Sequence, residues 1–136
     1  MSEHLTAGEI YRRYNEAENR KDSEGTGRYI AHDLYVEING VAEVASAEAD
    51  AIAMNELYSC YPDYRREIIE MIEAGDRVTV MWSMRGTPTP ALSGELGELD
   101  VHGVSVVTAD GKVMTRASLF MQSGALDAVL KRAQQG

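Results

Sequence analysis

Residues 62–86, PDYRREIIEMIEAGDRVTVMWSMRG, decide the fold. Two strand-like segments, 64–73 and 77–85, flank Ala74-Gly75-Asp76, where Gly75 can take the positive φ that a tight hairpin requires. Successive side chains on a strand alternate, so Val78, Val80, Trp82 and Met84 share one face. Thr79, Ser83 and Arg85 take the other, with Met81 the one apolar residue among them. An apolar row carrying the only tryptophan needs a wall to pack against, and the flanking sequence is patterned to supply one.

Working toward the N-terminus, Ser46 is placed to cap a helix of about 47–59 whose buried stripe is Ala49, Ile52, Ala53, Leu57 and Cys60, bordered by Met54 and Tyr58. Before it, residues 34–39 alternate like a short strand, with Val36 and Ile38 on one side and Tyr35 and Glu37 on the other. A weak helix is expected over about 23–32, where Gly25 and Gly27 each cost roughly 1 kcal/mol relative to alanine. Thr6 and Glu9 have capping-box spacing, and the helix they start carries Ile10, Tyr14 and Ala17 inward with Tyr11 at the edge.

Toward the C-terminus, Thr87-Pro88-Thr89-Pro90 cannot sit inside a ladder and reads as a loop. Segments 98–109 and 112–121 form a second hairpin around Ala109-Asp110-Gly111, and Ser123 is placed to cap a last helix through Leu126, Val129, Leu130 and Ala133. Helices first, then four long strands in meander, imply an α+β fold: a curved, mostly antiparallel sheet with helices on one face. Such a sheet wrapped around the N-terminal helices gives a cone with a pocket at its open end.

The totals narrow the function classes. A chain of 136 residues is one domain, 1–136, able to bury about two thirds of its unfolded surface. Lys and Arg number 13 against 22 Asp and Glu, a formal charge of −9 with no basic run, which argues against nucleic acid and anionic membrane surfaces as partners. The single Cys60 allows no internal disulfide, and no segment has the length of a membrane span or a secretory leader. A soluble, cytoplasmic protein is expected. Three dispersed histidines give no metal-ligand spacing and no glycine-rich phosphate loop is present, so neither metal nor cofactor is expected.

The 62–87 run, the spacing from Asp22 to Asp33, and the hairpin HGVSVVTADGKVMTRASLF together resemble the SnoaL-like branch of the nuclear transport factor two superfamily. The resemblance implies the cone-shaped α+β fold over nearly the whole chain. For activity it implies a cofactor-independent cyclase, isomerase or dehydratase acting on a hydrophobic ketone or polyketide. In that group a pocket carboxylate moves a proton beside a ketone while donors stabilise the enolate.

Carried over residue by residue, the resemblance sets Tyr14 where the isomerases have their oxyanion-binding tyrosine. The second donor's position falls at Gly103 and the base falls near Ile38, neither of which can carry a proton. The cyclases' His-x-Asp/Glu pair aligns with Arg116 and Ser118, and the epoxide hydrolase Arg and two Asp align with Trp82, Met84 and Ser118. Every familiar carboxylate is replaced.

The candidate catalytic residues are therefore Tyr14, Arg116, His102 and Glu37. Tyr14 is either an oxyanion donor or a core tyrosine whose hydroxyl meets a carbonyl. Arg116 shares a face with Ser118 and Phe120; it either binds a carboxylate or enolate, or is turned to solvent by a bulge. His102 suits acid–base work but lies on the opposite parity from Gly103 and Ser105. Glu37 is the reserve base, reached by a register slip. Candidate substrate-binding residues are Ile38, Met54, Tyr58, Trp82, Met84, Ser105, Ser118 and Phe120, with Trp82 and Met84 equally readable as core. The partner implied is a small hydrophobic molecule. A carrier or sensor that has lost its carboxylates, and an interaction module, are the alternatives. Ile69, Met71 and Met81, opposite the core-facing rows, suggest a homodimer.

Overall fold

A computed structural model describes residues 4–121 together with Val129, Arg132 and Ala133. The first helix, α1 (Ala7–Asn19), begins with the reciprocal cap expected: Thr6 Oγ1 accepts from Glu9 N and Glu9 Oε1 accepts from Thr6 N, both at 3.1 Å. A single turn, α2 (Ser23–Gly27), is capped by Asp22 and leads into β1 (Ile30–Ile38). The weak helix predicted to 32 thus stops at Gly27, and the strand starts four residues before the expected Leu34. Two glycines within three residues, Gly25 and Gly27, weaken a helix that has little packing to hold it, whereas Ile30, Leu34, Val36 and Ile38 all have a core to enter.

An additional strand, β2 (Val41–Val44), pairs antiparallel with β1 through the turn Asn39-Gly40. Both turn residues have positive φ, 52° and 84°, the conformation Asn-Gly adopts most readily. Ser46 caps α3 (Ala47–Cys60) as predicted, its Oγ accepting from Ala49 N at 3.0 Å. Its inward stripe is displaced from the expected one: Ile52 is exposed, while Asp50, Ala53, Met54 and Leu57 face inward.

The meander follows as β3 (Arg65–Ala74), β4 (Arg77–Gly86), β5 (Leu99–Ala109) and β6 (Met114–Met121). The sheet order is β2-β1-β6-β5-β4-β3, antiparallel throughout except where β1 runs parallel to β6. Val78, Val80, Trp82 and Met84 are buried on one face, as alternation requires. A bulge between Ile68 and Glu70 shifts the parity of β3, so Met71 packs on the core side while Ile69 and Ile72 stay exposed outside. Helix α1 lies against β3 to β6 and α3 against β1 and β2, so the helices cover one face of an α+β sheet. The predicted last helix from Ser123 falls outside the described residues, apart from Val129, which is buried in the core, Arg132 and Ala133.

Candidate functional site

Between the helices and the inner sheet face lies a cavity of about 110 Å³. Its wall is overwhelmingly apolar, from Leu34, Val36 and Ile38 of β1 to Met84, Val107 and Leu119 of the later strands. Few polar side chains interrupt it: Tyr11 and Tyr14 from α1, Asp50 from α3, Arg66 from β3 and Ser105 from β5. Helical periodicity brings the first group there, because Tyr11, Tyr14 and Glu18 are spaced i, i+3 and i+7 along α1.

Asp50 is the carboxylate nearest the apolar space. Its Oδ2 accepts a 3.3 Å hydrogen bond from the Tyr14 hydroxyl. Burial, reinforced by the negative charge of Glu18, raises the Asp50 carboxyl from its ordinary 3.8 to about 6, against the opposing pull of the Tyr14 bond and Arg66. Burial and the same two carboxylates push the Tyr14 hydroxyl well above the usual tyrosine range, so it stays protonated and donates.

A second polar cluster adjoins the first. Arg66 Nη2 meets Glu18 Oε1 at 3.1 Å, and Nη1 donates to the Tyr11 hydroxyl at 3.3 Å. Tyr64 donates to Glu18 Oε1 at 2.7 Å. The guanidinium lies 5.5 Å from the Trp82 ring centre. Its backbone is held by two asparagines of α1: Asn15 and Asn19 both donate to the Arg66 carbonyl, and Asn19 Oδ1 accepts from its N–H. Burial alone would lower the Arg66 pKa, but Glu18 and the surrounding tyrosines hold it well above its ordinary value. Among the described residues, three buried atoms here carry no hydrogen bond: Arg66 Nε, Glu18 Oε2 and Asn15 Oδ1.

The sequence-derived candidates separate by sheet face. Tyr14, Ile38, Met54, Met84 and Ser105 line the cavity. Trp82 is buried behind Ser105, to which its Nε1 donates at 2.7 Å, and its indole lies across Gly103, where a Cβ would come within 2.5 Å of the ring. Tyr58 packs on Tyr64 with ring centres 6.0 Å apart and is not part of the wall.

Arg116, Glu37, Ser118 and Phe120 lie on the outer face, a correction to the inward placement. There Arg116 Nη2 pairs with Glu37 Oε1 at 3.0 Å and stacks 4.9 Å from the Tyr35 ring, Ser118 donates to the same carboxylate, and Phe120 is exposed. The reason is parity. Ala117 and Leu119 on β6 point at the core, so their neighbours cannot. His102 also points outward, 3.6 Å from Asp100, with no bulge to turn it in.

Asp50, Arg66, Glu18 and Tyr11 are the site's residues that the sequence candidates omit. A signal for two of them exists. Asp50 stands i, i+3, i+4 and i+7 with Ala53, Met54 and Leu57, and Glu18 stands i+4 from Tyr14. Acids in first helical turns are common for dipole reasons alone, so Asp50 does not announce itself.

A family model of the SnoaL-like domain matches residues 11–116. The chain belongs to the SnoaL-like family. That span includes Tyr11, Tyr14, Glu18, Asp50 and Arg66. A search of curated proteins finds no sequence match. Among solved structures, a Shewanella putrefaciens CN-32 protein assigned as a SnoaL-like polyketide cyclase superposes with a TM-score of 0.74 at 12% identity, over 93% of this chain and 96% of that one. An uncharacterized cystatin-fold protein of Novosphingobium aromaticivorans gives 0.73 at 18% identity, over 85% and 97%. An LEH-like epoxide hydrolase of M. tuberculosis gives 0.72 at 14%, over 95% and 92%. At these identities the likeness is one of fold, and this SnoaL-like domain shares a scaffold that carries enzymes of different chemistry.

Among the described residues no group of three or more His, Cys, Asp or Glu is placed to hold a metal ion, and no helix is long and apolar enough to cross a membrane.

Proposed function

We propose that the domain is a cofactor-independent proton-transfer enzyme acting on a small apolar carbonyl compound, with Asp50 as its base. The observation that carries this is Asp50, the one carboxylate among the described residues that lines the largely apolar cavity, hydrogen-bonded to Tyr14 and with its carboxyl raised to about 6. A base near that value is mostly ionised at neutral pH yet still strong enough to take a carbon-bound proton. Asp50 removes a proton from the carbon beside the carbonyl and returns it elsewhere, the step common to isomerisation, dehydration and aldol-type cyclisation. Tyr14 steers the carboxylate and keeps its second oxygen available. Arg66, on the same wall, supplies N–H donors toward the oxygen of a developing enolate.

Size limits the substrate. At about 110 Å³ the cavity is of the same order as the roughly 150 Å³ one that accommodates benzene, which suits a single ring or short chain rather than a fused polyketide skeleton. The test is exchange of the α-protons of cyclohexanone in D2O, followed by NMR. Wild type should accelerate exchange over buffer, and Asp50→Asn should remove about 100-fold or more of that acceleration. Wild-type exchange no faster than buffer, with the ketone bound, would instead favour a carrier.

The outer sheet face supports a homodimer. Ile69, Ile72, Met81 and Phe120 are 40–60% exposed there, and Met81, Val104 and Phe120 are paired in one row across β4, β5 and β6. Sedimentation of wild type against Met81→Lys/Phe120→Lys tests it: a dimer should fall to monomer.

A further inference from the structure

Arg66 is a cation on an apolar cavity wall, and the first expectation for such a group is an anionic ligand. Its surroundings argue otherwise. A carboxylate binds guanidinium through two parallel N–H groups, but Nη2 is engaged by Glu18 at 3.1 Å and Nη1 by Tyr11 at 3.3 Å. Glu18 is wholly buried and cannot swing out to solvent, and the Tyr64 hydroxyl donates to the same Oε1 at 2.7 Å. The Arg66–Glu18 pair therefore sums to zero charge, and Asp50 adds a negative one to the same space. Of the five guanidinium N–H groups, these contacts use one on each Nη, and Nε is buried without a partner, so Arg66 keeps donors while the pair carries no net charge. Donors without net charge suit a neutral oxygen.

We infer that Glu18 is a specificity-determining residue: by engaging Nη2 of Arg66 and cancelling its charge, it restricts the cavity to uncharged ligands bearing a carbonyl or hydroxyl oxygen and rejects carboxylates. This rests on the proposed use of the cavity as the ligand site and assigns the ligand's charge class. Glu18 acts here through Arg66 and is a positioning residue. Removing its charge leaves the wall with an uncancelled cation, which is the arrangement a carboxylate prefers.

The experiment compares two rings of like shape, cyclohexanone and cyclohexanecarboxylate, by calorimetric or ligand-observed NMR titration at one pH. In wild type the carboxylate should bind at least ~10-fold more weakly than the ketone, and Glu18→Gln should move that ratio toward the carboxylate by ~10-fold or more. A purely structural Glu18 would weaken both ligands together and leave the ratio unmoved. Asp50→Asn provides the second arm and does not disturb the buried pair. It should keep a preference for the ketone, since Glu18 still cancels the Arg66 charge. Equal binding of the two rings by wild type, an unchanged ratio in Glu18→Gln, loss of all preference in Asp50→Asn, or binding of neither ring at millimolar concentration would each overturn the inference. If the ratios behave as expected but α-proton exchange is absent, the charge rule stands and the catalytic proposal fails.

Discussion

Two arginine–glutamate pairs sit on opposite faces of the same sheet, and their geometry is nearly identical. Arg66–Glu18 closes at 3.1 Å and Arg116–Glu37 at 3.0 Å. Each arginine also lies over an aromatic ring, Trp82 in one case and Tyr35 in the other. Exposure separates them: 7% and 0% for the side chains of the inner pair, 56% and 24% for the outer. Water screens the outer charges and can replace either partner, whereas the inner pair is enclosed by the Tyr11 and Tyr64 hydroxyls and the Trp82 ring. Distance alone therefore says little about what an ion pair does; the medium around it decides.

The sharpest way to break this comparison is to remove one partner on each face. Arg66→Ala should destabilise the fold by about 3–5 kcal/mol in urea unfolding, because it strands the Glu18 carboxylate in the core. A loss as small as that of a surface pair would mean that water reaches Glu18.

Asp50→Asn tests the cavity side in two ways. Beyond the loss of exchange activity, it should change how stability depends on pH. The folded Asp50 carboxyl titrates near 6 rather than 3.8, so between those values the folded chain holds a proton that the unfolded chain has released. Stability from this group is greatest below about 4 and declines as pH rises through about 6. Above that the asparagine variant should be the more stable protein by about 1–3 kcal/mol, and the difference should vanish near pH 4. Exchange activity of wild type should rise through the same pH window to a plateau, since the base must be ionised.

Adjacent residues of β5 give a finer version of the contrast. Gly103 faces inward beneath the Trp82 indole and His102 faces out. Gly103→Ala should cost about 1–3 kcal/mol through overpacking against a rigid ring, while His102→Ala should stay within about 0.5 kcal/mol. At the small end, Arg116→Ala should cost less than about 1 kcal/mol, a change further reduced by salt.

The same pair of arginines marks the limit of sequence reading. In the run from Arg116 to Met121, apolar residues occur on both parities: Ala117, Leu119 and Met121 on one, Phe120 on the other. Alternation correctly groups Arg116 with Ser118 and Phe120 but does not say which group faces the core. Arg65 and Arg66 pose the same problem, two arginines in succession of which one must be inside, and only the packing of α1 chooses Arg66. Asp50 is hidden for another reason, since its helix supplies an apolar face that can be drawn through Ile52 as well as through Met54.

Local chemistry in the chain was enough to determine the helix caps at Thr6 and Ser46, the hairpin at Gly75, the apolar row of β4 and hence the α+β SnoaL-like fold. Those features depend on residues a few positions apart, whose spacing is written in the chain. The tertiary structure alone decided which charges are inside, joining Glu18, Asp50 and Arg66 from three separate elements into one cavity wall and its backing. Strand periodicity fixes which side chains travel together, but the side that meets the core is chosen by what packs on it from far along the sequence.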